Sequence, residues 1–140
     1  MKKILFIFLF ITLAIYADED VTLQWDANTE PDLLGYKIYY DEDSGAPYNG
    51  TDITEGISPI VIYLKDQKPE GETGFELTDD TNPEITLHDL KTLIHGYTFA
   101  ATAFDTEALE SDYSNEVSID KATLPSKPTQ VQNLRIKQSE

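Results

Sequence analysis

The chain has no cysteine, a single tryptophan, a single methionine and only ten Lys and Arg among 140 residues. Lack of cysteine excludes disulfides, thiol nucleophiles, lipid attachment through cysteine and thiolate-bound zinc or iron–sulfur centres. Ten basic residues stand against 26 Asp and Glu, a net charge of -16. That balance argues against nucleic acid as a partner, because phosphate contacts need a cationic surface. Helical periodicity is also scarce: past the N-terminus no window longer than about ten residues repeats at 3.6. What is present is ordinary for a folded domain, with 40% hydrophobic and 26% charged residues. The length suits one domain with a single core.

The N-terminus reads as an export signal. Met1-Lys2-Lys3 precedes an apolar run over residues 4–15 that only Thr12 interrupts. Twelve helical residues rise about 18 Å, short of the ~30 Å hydrocarbon core that a spanning helix must cross. Ala17 before Asp18-Glu19-Asp20 suits cleavage after a small residue. The expectation is therefore a signal peptide over residues 1–17 rather than an uncleaved anchor, with no membrane span once it is removed. The mature protein is expected outside the cell or at its surface, with the periplasm as the alternative. It keeps 8 basic and 26 acidic residues. In an oxidising compartment without cysteine, packing alone must hold the fold.

Residues 18–122 read as strands. Val21-Thr22-Leu23-Gln24-Trp25 alternates apolar and polar, the period of a half-buried strand. After a turn-rich break that contains Pro31, Gly35-Tyr36-Lys37-Ile38-Tyr39-Tyr40 is rich in strand-forming types. Residues 41–56 carry three Gly, one Pro and five acids and read as an exposed loop. Ile60-Val61-Ile62-Tyr63-Leu64 is a short apolar strand, and Phe75-Glu76-Leu77 a short edge strand. Residues 85–90, 97–104 and 115–119 complete the pattern of a β-sandwich.

These segments resemble a fibronectin type III domain. Val21 to Asp26, Gly35 to Tyr40, Leu90 with Tyr97 to Asp105, and Glu110-Ser111-Asp112-Tyr113-Ser114-Asn115-Glu116-Val117 look like its strands B, C, F and G. The resemblance covers roughly residues 21–120 and implies an immunoglobulin-like, all-β sandwich. It would place Trp25, Tyr36, Ile38, Leu90, Phe99, Ala101 and Val117 in the core. Tyr97 would sit at a tyrosine corner, its hydroxyl bonded to backbone near Leu90. The stretch between Tyr40 and Ile85 exceeds that of a minimal member, which implies an elaborated loop or an added strand. Only three acidic residues separate the cleavage site from Val21, leaving no room for a strand A.

Residues 123–140 look like the Pro-marked linker and first strand of a following domain, with Pro125, Pro128, Val131, Leu134 and Ile136. The expectation is that this segment supplies the missing strand, to a neighbour more easily than within its own molecule; the alternative is a disordered tail. Val131, Leu134 and Ile136 would then be the contact residues of a self-association. Donation to a neighbour is head-to-tail and builds a filament.

Sites for chemistry are sparse. His88 and His95 have no nucleophile at a spacing that suggests a triad and no third metal ligand. No acid pair for hydrolysis stands out, and the chain reads as a non-enzyme without a required cofactor. Asp41, Asp43 and Asp52 fall at positions 1, 3 and 12 of a calcium-loop register, although Gly45 is one place early. The candidate is an irregular calcium site; the alternative is an acidic turn. Asn49-Gly50-Thr51 reads as a turn rather than a glycosylation acceptor. Tyr40, Tyr48 and Tyr113 are candidates for stacking on sugars, the feature of a monomeric carbohydrate- or surface-ligand-binding module. The loop over residues 105–112 is acidic throughout, with no adhesive Arg-Gly-Asp tripeptide. The function expected is a structural or adhesive module, with the carbohydrate-binding module as its alternative.

Overall fold

The computed structural model describes residues 19–92 and 94–122. The signal region and residues 123–140, with Val131, Leu134 and Ile136, lie outside the described residues. Seven strands follow one another among the described residues: β1 (Glu19–Gln24), β2 (Leu33–Asp41), β3 (Ile60–Tyr63), β4 (Phe75–Glu76), β5 (Glu84–Leu90), β6 (Tyr97–Asp105) and β7 (Val117–Ile119). No described helix is long and apolar enough to cross a membrane. β1 and β5 form a two-stranded antiparallel sheet, and the second sheet has the order β4-β3-β2-β6-β7. The fold is all-β, with the two sheets packed face to face as a sandwich.

The longest ladder pairs β2 with β6. Tyr36 lies opposite Ala103, Ile38 opposite Ala101 and Tyr40 opposite Phe99. Alternation turns these side chains to one face of the sheet, where Tyr36, Ile38, Tyr40 and Phe99 are at most 2% exposed. Leu87 and Leu90 of β5 meet them from the other sheet, also buried. Where β2 passes β3, a Cβ on Gly35 would stand 2.2 Å from the Ile62 carbonyl oxygen, so only glycine fits that crossing.

Tyr97 ties the core to the loops. Its hydroxyl accepts from the Lys91 N–H at 2.9 Å and donates to Asp52 Oδ2 at 2.8 Å. Burial raises this phenol above its ordinary range, helped by the Asp52 carboxylate and opposed by the Lys91 amide.

Three sequence expectations change. Residues 41–56 are not simply an exposed loop: Tyr48 and Ile53 are buried, and Ile53 joins the core. The segment is held to β2, where Gly50 N–H donates to the Tyr40 carbonyl and Tyr40 N–H to the Ser58 hydroxyl. Gly50 lies so close to the Tyr40 ring that a Cβ there would be 2.1 Å from it. Second, Trp25 sits at the margin of the core, half-buried and edge-on to Tyr36 with ring centroids 5.2 Å apart. Third, Val117 is 49% exposed, because the side of the sandwich it faces is open. The last strand also begins later than residue 115. The hydroxyls of Ser111 and Ser114 accept from the N–H groups of Ala103 and Ala101, taking the place of backbone partners beside β6.

The contrast between Phe99 and Val117 gives a direct check. Phe99→Ala is expected to cost about 3–5 kcal/mol and Val117→Ala no more than about 0.5 kcal/mol. Denaturant unfolding of both variants measures this; equal losses would contradict the difference in burial between these two cross-strand neighbours.

Candidate functional site

The two edges of the small sheet differ. Trp25 N–H donates to the Pro83 carbonyl, and the register pairs Val21 with Leu87 and Leu23 with Ile85. In an antiparallel ladder the bonded pairs alternate, so residues 21, 23 and 25 direct their backbone groups at β5. The N–H and C=O of Thr22 and Gln24 therefore point away from it. The side chains agree with this: Thr22 bonds Thr86 and Gln24 bonds Glu84 across the close, non-bonded pairs. No described strand pairs with the outward groups of Thr22 and Gln24.

On β5 the corresponding edge is closed. Thr54 N–H donates to the His88 carbonyl, and His88 N–H donates to Glu55 Oε2. The Glu55 side chain, 5% exposed, also contacts His88 Nδ1 at 2.5 Å, and this hydrogen bond raises the His88 pKa. The Thr54 hydroxyl bonds Asp89. The loop after β2 thus acts as a non-strand cover for one edge of the sheet, and β1 has no equivalent among the described residues.

Below the open edge of β1 runs a cleft of about 370 Å³. Leu23, Trp25, Ile38, Phe99, Ala101 and Val117 supply its apolar lining, alongside polar residues such as Asn28, Thr102 and Asn115. The inward residues along this side, Val21, Leu23, Trp25, Ala101 and Ala103, are all only partly buried. The Trp25 indole Nε1 is shielded from solvent and has no acceptor among the described residues. Burying such a donor unpaired is costly.

The opposite face of the five-stranded sheet is closed by a hydrogen-bonded cluster. Glu110 accepts from Lys37 Nζ at 2.6 Å, Tyr39 Oη at 2.5 Å and Thr102 Oγ1 at 2.6 Å. Burial works against its charge, but the bonds from Lys37, Thr102 and Tyr39 outweigh it and hold the carboxyl below its usual pKa. Glu116 accepts from the Tyr48 hydroxyl and from Gly45 N–H; the Glu116 carboxylate, with burial, pushes Tyr48 up to about 12.

The residues singled out in the sequence are not brought together as a metal site. Asp41 spends its two oxygens on the N–H groups of Glu42 and Asn49. Asp52 turns to Tyr97 and to His95 Nε2, 3.0 Å away. Among the described residues no three His, Asp or Glu side chains converge where a metal ion could sit. The sugar-stacking candidates also change. Tyr40 is fully buried and Tyr48 nearly so. Tyr113, exposed, packs edge-on against Tyr39 at 88° and Tyr48 at 76°, which makes no flat platform. Glu55, Glu110 and Glu116 were not legible as special among 26 acids. The one available signal for Glu110 and Glu116 is their place beside Ser111, Ser114 and Tyr113.

Set against family models, curated proteins and solved structures, the chain matches none of them.

The Glu110 cluster predicts a pH effect. A carboxyl with a lowered folded pKa stabilises fully above its unfolded value and loses that contribution as pH falls through the folded one. Glu110→Gln should therefore lower the melting temperature near neutral pH and flatten its decline in acid. Profiles of parent and variant that stay parallel from about pH 7 to pH 3 would contradict this.

Proposed function

We propose that the chain is an exported, non-enzymatic structural or adhesive module of the fibronectin type III kind. It assembles head-to-tail by accepting on β1 a strand from residues 131–137 of a neighbouring copy. The observation that carries this reading is the open edge of β1 above an apolar cleft. An edge of that kind accepts an added strand through main-chain hydrogen bonds, with pockets for alternate side chains. Fold alone does not assign function; the argument rests on the edge and on a segment suited to it. The Tyr97–Lys91 bond is the contact a tyrosine corner makes, and it favours the fibronectin type III form of the sandwich.

Chain direction favours a neighbour over self-docking. β7 ends where Ile119 pairs with Tyr97, and Ala122 N–H then donates to the Thr92 carbonyl. That is the end of the sandwich where β1 begins, since Glu19 lies opposite Leu90. An antiparallel strand on β1 must enter at the other end, beside Trp25. Returning within one molecule takes residues 123–130 back along the whole β1 ladder, with Pro125 and Pro128 stiffening the path. Passing into the next molecule continues the direction the chain already has. Repetition of this open contact yields a filament.

Light scattering after size exclusion tests the reading. The mature chain should form oligomers that lengthen with concentration, and removal of residues 125–140 should leave a monomer. If the mature chain is monomeric at high concentration, and the deletion changes neither mass nor melting temperature, strand donation is wrong.

A further inference from the structure

We infer that the donated strand docks in a single register, with Gln132 opposite Trp25, Leu134 opposite Leu23 and Ile136 opposite Val21, and that the Gln132 carboxamide accepts the Trp25 indole N–H. This inference rests on the strand donation proposed above.

The backbone restricts the choice first. Because the outward amides of β1 belong to Thr22 and Gln24, the residues opposite them make the bonded pairs and face solvent as they do. Residues opposite Val21, Leu23 and Trp25 face the cleft. A slip by one residue would turn Leu134 and Ile136 to solvent, so only even slips compete. The orphan donor then separates those. In the register inferred, Leu134 and Ile136 cover the apolar middle of the wall and Gln132 brings an acceptor to the buried indole N–H, which lacks one among the described residues. Sliding the strand two residues one way puts Leu134 against the indole and the Gln138 amide against Val21. Sliding it the other way puts the Gln132 amide against Leu23 and Ile136 beside Glu19.

Charge selects the same occupant and excludes one of the two slips. Residues 19–122 hold 24 acids and five lysines, whereas residues 123–140 hold Lys127, Arg135 and Lys137 against Glu140 alone. The C-terminal segment is thus the cationic part of an otherwise acidic mature chain. With Leu134 opposite Leu23, Lys137 falls opposite Asp20 and Arg135 opposite Thr22, on the solvent face. Opposite charges facing each other across strands are favourable. The first slip moves Lys137 opposite Thr22 and loses this pairing; the second replaces it with Arg135 opposite Asp20, so the indole acceptor alone excludes that slip.

Absence of native cysteine makes a clean crosslinking test. Full-length mature protein with Thr22→Cys is mixed with copies that carry Asn133→Cys, Arg135→Cys or Lys137→Cys, and mixed disulfides are mapped by mass spectrometry. Thr22 is exposed on the outer face, so its replacement spares the core. Bonded cross-strand pairs have Cα atoms about 5.5 Å apart, within disulfide reach, while diagonal neighbours at about 7–8 Å lie beyond it. The expected product joins positions 22 and 135. Dominant crosslinking of 22 to 133 or to 137 overturns the register and leaves strand donation standing. No mixed disulfide with any of the three overturns donation itself. As a second readout, Gln132→Leu should shift the concentration for half-maximal assembly upward by roughly tenfold; an unchanged value overturns the indole contact.

Discussion

The eight-residue register between β2 and β6 is the constraint on which the rest of the sandwich depends. It commits Tyr36, Ile38, Tyr40 and Phe99 to one face and Lys37, Tyr39 and Thr102 to the other. The first set, with Leu87 and Leu90, makes the core between the sheets. The second, with Glu110, makes a polar and aromatic cover on the far side. A slip of one residue would exchange the two sets and bury Lys37 in place of Ile38. Tyr97 and Asp105 lie at the two ends of β6, so the same register also sets where the loops attach. Tyr97 reaches the loop carrying Asp52, and Asp105 accepts from the N–H groups of Glu107 and Leu109 in the loop that follows.

With no disulfide available, carboxylates do much of the work of holding loops. Asp41, Glu55, Asp79, Asp80, Asp105 and Glu116 each accept from at least one backbone N–H outside the ladders or at their edges. Asp79, bonded by Asn82 and Thr81, is held at about 2, so it stays ionised well into acid. The acidic composition is therefore more than a solvated shell. It provides acceptors that stand in for missing backbone partners, most clearly where Glu55 closes the edge of β5.

That closure makes the openness of β1 meaningful. One edge of the two-stranded sheet is occupied by a loop; among the described residues nothing pairs with Thr22 and Gln24 on the other, or with the indole N–H in the wall of the cleft beside it. Partial exposure of Val21, Leu23, Ala101 and Val117 follows from the same gap. An added strand would cover the apolar wall, pair the outward amides and give the indole an acceptor in a single step, which is why the register and the occupant can be argued together.

Strand identity was largely legible in the sequence. Period-2 alternation in Val21 to Trp25, Gly35 to Tyr40 and Tyr97 to Phe104 specifies both a strand and its buried face, because that period depends only on the local backbone. Followed strictly, it also puts Tyr40 with Tyr36 and Ile38, inside the core and away from sugars. The position of Trp25 at the margin, the exposure of Val117 and the burial of Tyr48 and Ile53 were not legible. Each depends on which segment lies across from it, a long-range arrangement that no local pattern records. Nor do Asp41, Asp43 and Asp52 reveal, from their spacing, that their loop turns Asp52 towards Tyr97 and not towards Asp41. The sequence by itself determined an all-β chain with alternating faces and no cysteine chemistry. Tertiary structure alone decided which edge is covered, which carboxylates act as caps and where the core stays open, because those outcomes are set by contacts between residues tens of positions apart.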